Sequence, residues 1–415
     1  MKFSVITPTN GTPYLLETYK SLASQTHGDW EWNLHLNGKM SLQDLPKEIV
    51  DDPKVLISFD AGGEAAVGRV KRDAFMLGTG DVLVELDHDD ILVETCLAEL
   101  NSAYIENPDV GFVYSDDAVH KTDGEFVPYN PINGWTHEPF SWHGMNTTWM
   151  HGFDPSAAAM AFIWYAPDHV RTWRREAYVA AGGHDPVLKV LDDQDLLART
   201  YLVAKFFHIK KPLYIYRVHG QNTWQQHAAG IQVDTVSMFH KYAYRLVERD
   251  ADLNGLMKIE LGGGINPTPG YTTIDIEGGH IQADLSQGIP LDAGCVGVIK
   301  ASHVLEHLPN PLKSMSEIHR VLADGGWAMI DVPSTDGRGA WQDPTHCSYW
   351  NQNSFLYYTR AEQAMYIRNS TIKFQNFRCD THFPNAWYKD MQIPVVSAWL
   401  RAIKGTGKRP HPIMP

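Results

Sequence analysis

The chain has 415 residues, 43% of them hydrophobic and 20% charged, which is the balance of a globular protein and excludes a disordered or fibrous one. At about 100–200 residues per domain, that length predicts two domains or three. Thirty-five Lys and Arg against 49 Asp and Glu leave a net charge of −14, so nucleic acid is not expected as a partner.

Four cysteines, Cys96, Cys295, Cys347 and Cys379, are too few and too scattered for a disulfide framework or a CxxC metal site, and a reducing compartment fits them. The apolar run at the N-terminus stops at Thr7-Pro8 and reads as a first strand rather than a signal peptide. The longest apolar stretch, 157–166, is half the roughly 20 residues that cross a bilayer. The expectation is a cytoplasmic protein without a membrane span, with peripheral attachment at the inner membrane face left open.

Short β-rich runs at 3–7, 32–36, 55–58, 82–86 and 111–114 alternate with helical patterns at 14–25 and 65–77, the grammar of a mainly parallel sheet covered by helices. From 123 to 158 the composition turns to Trp, His, Pro, Gly and Asn with weak periodicity, predicting long loops that shape an acceptor pocket. The aromatic-rich insert, with Trp135, Trp142, Trp149, Trp164 and Trp173, suits carbohydrate stacking or simply a core. A helix over 233–249 runs into the polar stretch 250–255, and the domain boundary is expected there. The α/β pattern then restarts, with strands near 257–261, 271–276, 296–300 and 327–332 and a helix over 311–323. The predicted organisation is a first domain over 1–250, a second over 256–400 and a loose tail over 401–415.

In the first domain the apolar run Val82-Leu83-Val84 passes through Glu85-Leu86 into Asp87-His88-Asp89-Asp90. Carboxylates spaced i, i+2 where a strand ends can share a hard divalent cation whose other positions are filled by phosphate oxygens and water. The plain alternative is a solvated turn with Asp90 capping a helix over 92–101. A second acidic run, Asp192-Asp193-Gln194-Asp195, is placed to open a helix whose dipole keeps a carboxylate ionised and competent as a base. Tyr214-Ile215-Tyr216-Arg217-Val218 then alternates as a strand that ends in His219, an available imidazole ligand.

Together with Val5-Ile6-Thr7-Pro8-Thr9-Asn10, Ser21-Leu22-Ala23-Ser24-Gln25-Thr26, Trp30, Lys71-Arg72 and Gly182-Gly183-His184-Asp185, these motifs resemble, in order, the family 2 glycosyltransferases of the GT-A fold over residues 1–225. The resemblance implies a hexosyltransferase-type enzyme of polysaccharide biosynthesis that inverts the sugar it moves from a nucleotide diphosphate donor to a hydroxyl of a glycan or glycoconjugate. Thr7, Pro8, Thr9, Asn37, Lys71, Arg72, Asp87 and His88 are then expected at the nucleotide sugar, Asp89 and His219 at a Mn²⁺ or Mg²⁺ ion, and Asp193 as the base. Leu36-Asn37-Gly38-Lys39 departs from the family's Asp-Asp-Gly-Ser, which leaves the donor base open.

In the second domain a strand ends in Gly262-Gly263-Gly264, a turn that lets backbone approach a ligand, and Asp275 ends the next strand. With Ala283-Asp284-Leu285 and Ser302-His303-Val304-Leu305-Glu306-His307, this series resembles class I S-adenosylmethionine-dependent methyltransferases over 256–360. The resemblance implies a Rossmann-like domain that binds S-adenosylmethionine through Gly262, Gly264, Asp275 and Asp284 and methylates the sugar or its acceptor. Only ten residues separate Gly264 from Asp275, two of them Pro, so no full helix fits between those strands. His303, Glu306 and His307 read equally as structural caps, and Asp343-Pro344-Thr345-His346 as a pocket segment or a turn. Two other readings of the whole are a protein that is mainly a glycan methyltransferase and a non-catalytic glycan-binding scaffold.

Overall fold

The computed structural model describes residues 1–60, 66–163, 166–220, 222–264, 266–369, 371–405 and 407–410; Ala65 and Trp164 lie outside them. The chain divides into two units, Met1–Leu246 and Val247–Pro415. The division falls within a 31-residue helix, Thr223–Leu253, that ends inside the polar stretch where the sequence suggested a break.

The first unit is built on strands β1 (Phe3–Thr9), β2 (Trp30–Leu36), β3 (Val55–Phe59), β4 (Val82–Glu85), β5 (Ile91–Leu92), β6 (Val110–Lys121), β7 (Thr136–Trp142), β8 (Met145–His151), β9 (Arg171–Arg174) and β10 (Lys205–Val218). Their order is β3-β2-β1-β4-β9-β6-β10-β5, with the β7–β8 hairpin attached to β6 through β8. The first four pair in parallel. β1 and β2 are buried along almost their whole length, yet β2 alternates Trp30, Trp32, Leu34 and Leu36 with the buried polar residues Glu31, Asn33 and His35. β9 then runs antiparallel between β4 and β6. This is the α/β class expected of the first domain.

Two expectations fail here. The segment expected as loops contains the β7–β8 hairpin, closed by His143-Gly144 at φ 46° and 79°. Positive φ at both central residues matches the right-handed twist of the flanking strands. Asp90 does not cap a helix over 92–101: Ile91–Leu92 pairs with β10, and the helix is Cys96–Glu106.

The second unit has β11 (Met257–Leu261), β12 (Thr272–Asp275), β13 (Ile281–Gln282), β14 (Val296–Ser302), β15 (Leu322–Pro333), β16 (Phe374–His382) and β17 (Val395–Ala402) in the order β13-β12-β11-β14-β15-β17-β16. β11 to β15 are parallel, and β17 is inserted antiparallel between β15 and β16. It is the Rossmann-like sheet expected of the second domain. The helix Pro311–Val321 makes the crossover from β14 to β15, starting at Pro311 with the Asn310 side chain accepting the Lys313 N–H. Among the described residues no helix lies between β11 and β12. Arg401 and Ala402, expected in the tail, are buried in β17.

Candidate functional site

In a parallel sheet, ligands collect beyond the carboxyl ends of the strands where the winding direction reverses. In the first unit that point lies between β1 and β4, because the chain winds outward from β1 through β2 to β3 and then returns. The ends of these two strands meet there: Thr9 Oγ1 lies 2.8 Å from His88 Nδ1, and the Asn37 N–H donates to Thr9 O at 2.9 Å. Thr7 is different. Its buried hydroxyl donates to Leu86 O and accepts from Trp32 Nε1, both at 2.8 Å, so it locks strand ends together and has no face toward a nucleotide. Pro8, half-buried, sits between the two.

β10 fixes the acidic turn after β4. Tyr214 donates its hydroxyl to Asp90 Oδ2 at 2.8 Å, the Arg217 N–H donates to Asp90 Oδ1 at 2.6 Å, and Arg217 Nε donates to Asp89 O at 2.7 Å. Burial, reinforced by Asp89 and Asp87, pushes the Asp90 carboxyl well above its usual range. Asp90 is therefore structural, and it spends its bonds on shaping the turn. The consequence is that Asp89, 130 residues away in sequence, presents Oδ2 to His219 Nε2 at 2.7 Å, both side chains being 14% exposed. One carboxylate oxygen and one imidazole nitrogen thus converge at the sheet's edge, a pair that fits a cation completing its shell with phosphate and water. Asp87, whose side chain is 36% exposed, lies 3.7 Å from His169 Nε2. Partial burial, then Glu85 and Asp89, push its carboxyl up to about 7 against the pull of Lys71.

A second network lies on the β9 side. Arg171, only 3% exposed, donates from Nη1 to Asp193 Oδ2 at 2.7 Å and stands 3.5 Å from Glu85 Oε2. Asp193 is in the first turn of the helix Asp192–Val203, where the helix dipole favours a negative charge. Burial opposes its ionisation, but Arg171 and Lys71 prevail and hold the carboxyl below its usual value. Its neighbour Asp192 faces inward, 3.7 Å from Lys71 Nζ and 3.8 Å from His184 Nε2, and burial raises it to about 6. Asp193 is the more open of the two, with 27% of its side chain exposed against 6%. Lys71 and Arg171 act on both Asp87 and Asp193, which joins this network electrostatically to the acidic turn.

Lys71, expected at the nucleotide, is instead committed to Glu85 at 2.7 Å. Arg72 is exposed and is not brought into this network. Arg171, Glu85 and His169 escaped the sequence reading. Glu85 carried a usable signal, since an acid inside an apolar strand must find a cation; Arg171 and His169 carried none. Of the aromatic insert, Trp135 and Trp173 are buried in the core, which takes them away from sugar stacking, while half-buried Trp142 donates Nε1–H to Glu94.

In the second unit, Gly262 has φ +71°, and a Cβ there would lie 2.3 Å from Val304 Cγ2, so only glycine lets the turn pass this close to the end of β14. The Gly264 N–H donates to Asp275 Oδ2 at 2.9 Å and the Glu277 N–H to Oδ1 at 3.1 Å. Each carboxylate oxygen keeps a lone pair for a further donor such as a ribose hydroxyl. Asp284 is exposed and accepts the Ser286 N–H of its own turn at 2.9 Å, apart from the glycine turn's hydrogen bonds.

Residues 259–368 match the family model of a methyltransferase domain. The matched segment lies within the second unit. One relative is the O-antigen biosynthesis protein RfbC of Myxococcus xanthus, 26% identical over 118 residues, which is 28% of this chain and 9% of that protein. The chain therefore spans under a tenth of that relative's length. Among solved structures, S. aureus TarS 1–349 is 16% identical with a TM-score of 0.43, over 65% of this chain and 76% of that one. Its complex with UDP is 16% identical at a TM-score of 0.44, over 61% and 71%. Its complex with UDP-GlcNAc is 15% identical at 0.44, over 65% and 77%.

Proposed function

We propose that the first unit transfers a sugar from a nucleotide diphosphate to a hydroxyl of a glycan or glycoconjugate, with inversion, and that the second methylates the sugar or its acceptor. The observation that carries the reading is the 2.7 Å meeting of Asp89 and His219 across 130 residues. Asp89 and His219 would hold a Mn²⁺ or Mg²⁺ ion, whose charge offsets that of the departing diphosphate. Thr9, Asn37 and His88 border the strand ends where the nucleotide would lie, and Asp87 faces its ribose or diphosphate. Asp193 accepts the proton of the attacking hydroxyl, and Arg171 aims its carboxylate. Attack from the face opposite the diphosphate inverts the anomeric carbon. Gly262, Gly264 and Asp275 would hold S-adenosylmethionine, the source of the methyl group. The name of the M. xanthus relative supports a place in polysaccharide assembly.

The test is release of nucleotide diphosphate from a panel of sugar nucleotides with Mn²⁺ or Mg²⁺, followed by transfer once an acceptor is found. General-base assistance is worth about 10²–10⁴-fold, so Asp193→Asn should lose that much transfer while donor affinity changes less than threefold. Asp89→Asn should lose metal-dependent donor binding. No release from any donor would favour a glycan-binding scaffold, and a retained anomeric configuration would remove Asp193 from its role.

A further inference from the structure

Beyond the methyl-donor turn, the second unit gathers three side chains that the proposed reaction does not use. β14 ends at Ser302, and the chain turns through His303 at φ +55° into a short 3₁₀ turn, Leu305–His307. A segment some forty residues later is clamped onto that turn: the N–H groups of Cys347 and Ser348 donate to Glu306 O at 2.9 and 3.0 Å, and Ser348 Oγ donates to Leu305 O at 2.8 Å. The clamp brings His346 to Glu306 and His307. One ligand atom from each of the three lies within 4.8 Å of the others, the one such group of three among the described residues.

Glu306 is the decisive member. It is 2% exposed, and neither of its carboxylate oxygens has a hydrogen-bond partner. His303 Nδ1 approaches Oε1 to 3.3 Å without forming a hydrogen bond. A buried carboxylate left in that state costs several kcal/mol unless a positive charge compensates it. The two histidines are set up to help supply that compensation through a cation. His346 Nδ1 lies 3.0 Å from the carbonyl of Ala340, and His307 Nδ1 lies 3.1 Å from Thr345 Oγ1 and 3.4 Å from Thr345 O. A carbonyl only accepts, so both rings carry their proton on Nδ1 and keep the Nε2 lone pair free. Fixing the tautomer through the second nitrogen is the usual support of a metal-ligating histidine.

We infer that Glu306, His307 and His346 form a binding site for a first-row divalent transition cation, Zn²⁺ or one that resembles it. Two imidazoles and one carboxylate suit such ions better than Ca²⁺ or Mg²⁺, which prefer all-oxygen shells. Metal–ligand bonds of about 2.0–2.2 Å require the side chains to close by about 1 Å, within reach of small χ rotations. Three protein donors leave positions open, as in catalytic rather than structural sites, and His307 is on the solvent side. The site also follows β14, which pairs with β11, and Val304 touches the glycine turn. An acceptor hydroxyl entering an open position would therefore face the methyl donor; this part rests on the proposed methyl transfer. The hydroxyl proton is lost to solvent, its oxygen bonds the methyl carbon, and the sulfonium C–S bond breaks to leave a neutral thioether.

The experiment uses the full chain without an affinity tag, stripped with chelator and titrated with Co²⁺ by absorption spectroscopy and with Zn²⁺ by calorimetry. Asp89→Asn serves as the background, so that the first unit does not contribute. One equivalent of Co²⁺ with visible d–d bands is expected, and its affinity should fall at least tenfold in Glu306→Gln, His307→Ala and His346→Ala. His307 is exposed, so His307→Ala should fold even if burial makes Glu306→Gln unstable. No Co²⁺ equivalent in the Asp89→Asn background, or one unaffected by His307→Ala, overturns the site. S-adenosylmethionine titrated in parallel separates the two ideas. Co²⁺ bound without S-adenosylmethionine supports the site and sinks the methyl-donor reading, whereas S-adenosylmethionine bound without Co²⁺ overturns the site alone.

Discussion

The Arg171 guanidinium does two jobs for carboxylates that would otherwise be poorly placed: it neutralises Glu85 inside the sheet and holds Asp193 ionised at its surface. Burial alone would raise Asp193; Arg171 is the largest of the charges that lower it. A lowered carboxyl keeps its charge at every pH above that lowered value and takes up a proton only below it. Arg171→Gln removes the main lowering charge and leaves burial in place, so the acid limb of the transfer rate should move upward by at least about one pH unit, equivalent to ~1.4 kcal/mol. Arg171→Lys keeps the charge and should keep the limb within about half a unit. Rates from pH 4 to 8 for both variants check this, and equal shifts in the two would deny Arg171 an electrostatic role. This pairing was beyond sequence reading because Arg171, Glu85 and Asp193 are distant along the chain and only the order of strands brings them together. Asp87, Asp89 and His219 were easier to see, since each lies just beyond an apolar run and a strand end is where such side chains can serve a ligand.

At the scale of elements, the parallel strands were legible as short β-rich runs alternating with helical patterns, and that no helix lies between β11 and β12 among the described residues followed from the short link and its two prolines. The β7–β8 hairpin and the β16–β17 pair were not legible. β7 is largely exposed and carries His, Glu and Pro, so its alternation has little hydrophobic contrast. One hub holds the start of the first sheet. Glu31 on β2 accepts from Ser4 Oγ at 2.6 Å on β1, from the Thr79 N–H at 2.6 Å and Oγ1 at 2.7 Å before β4, and pairs with Lys2 Nζ at 2.5 Å. Burial opposes its charge, but the Lys2, Ser4 and Thr79 bonds lower it to about 2. A carboxyl lowered on folding stabilises the fold above its unfolded value of about 4.5, and that contribution drains away as pH falls from there to about 2. Glu31→Gln should therefore cost about 1–3 kcal/mol at pH 7 and far less near pH 2.5. Urea unfolding at both pH values measures the difference, and a cost independent of pH would assign the effect to packing.

At the scale of the whole molecule, each unit closes its own core: one runs from Phe3 to Tyr214 along the first sheet and the other from Ile259 to Ala402 along the second. A core of its own allows a unit to hold a ligand at its own strand ends. The sequence suggested this through its repeated α/β grammar, although the continuous helix Thr223–Leu253 made the boundary hard to place. Reciprocal lesions then have separable effects. Asp275→Ala removes the carboxylate that accepts the Gly264 and Glu277 N–H groups and would meet the ribose, so S-adenosylmethionine affinity should fall at least tenfold while nucleotide diphosphate release stays within twofold. Asp89→Asn should abolish metal-dependent release and leave S-adenosylmethionine affinity within twofold. Calorimetry and a coupled diphosphate assay on the same preparations give all four values. If either lesion moved both readouts, the two reactions would share a state of the enzyme, and methylation would have to be treated as a step coupled to sugar transfer rather than as an independent activity on the same chain.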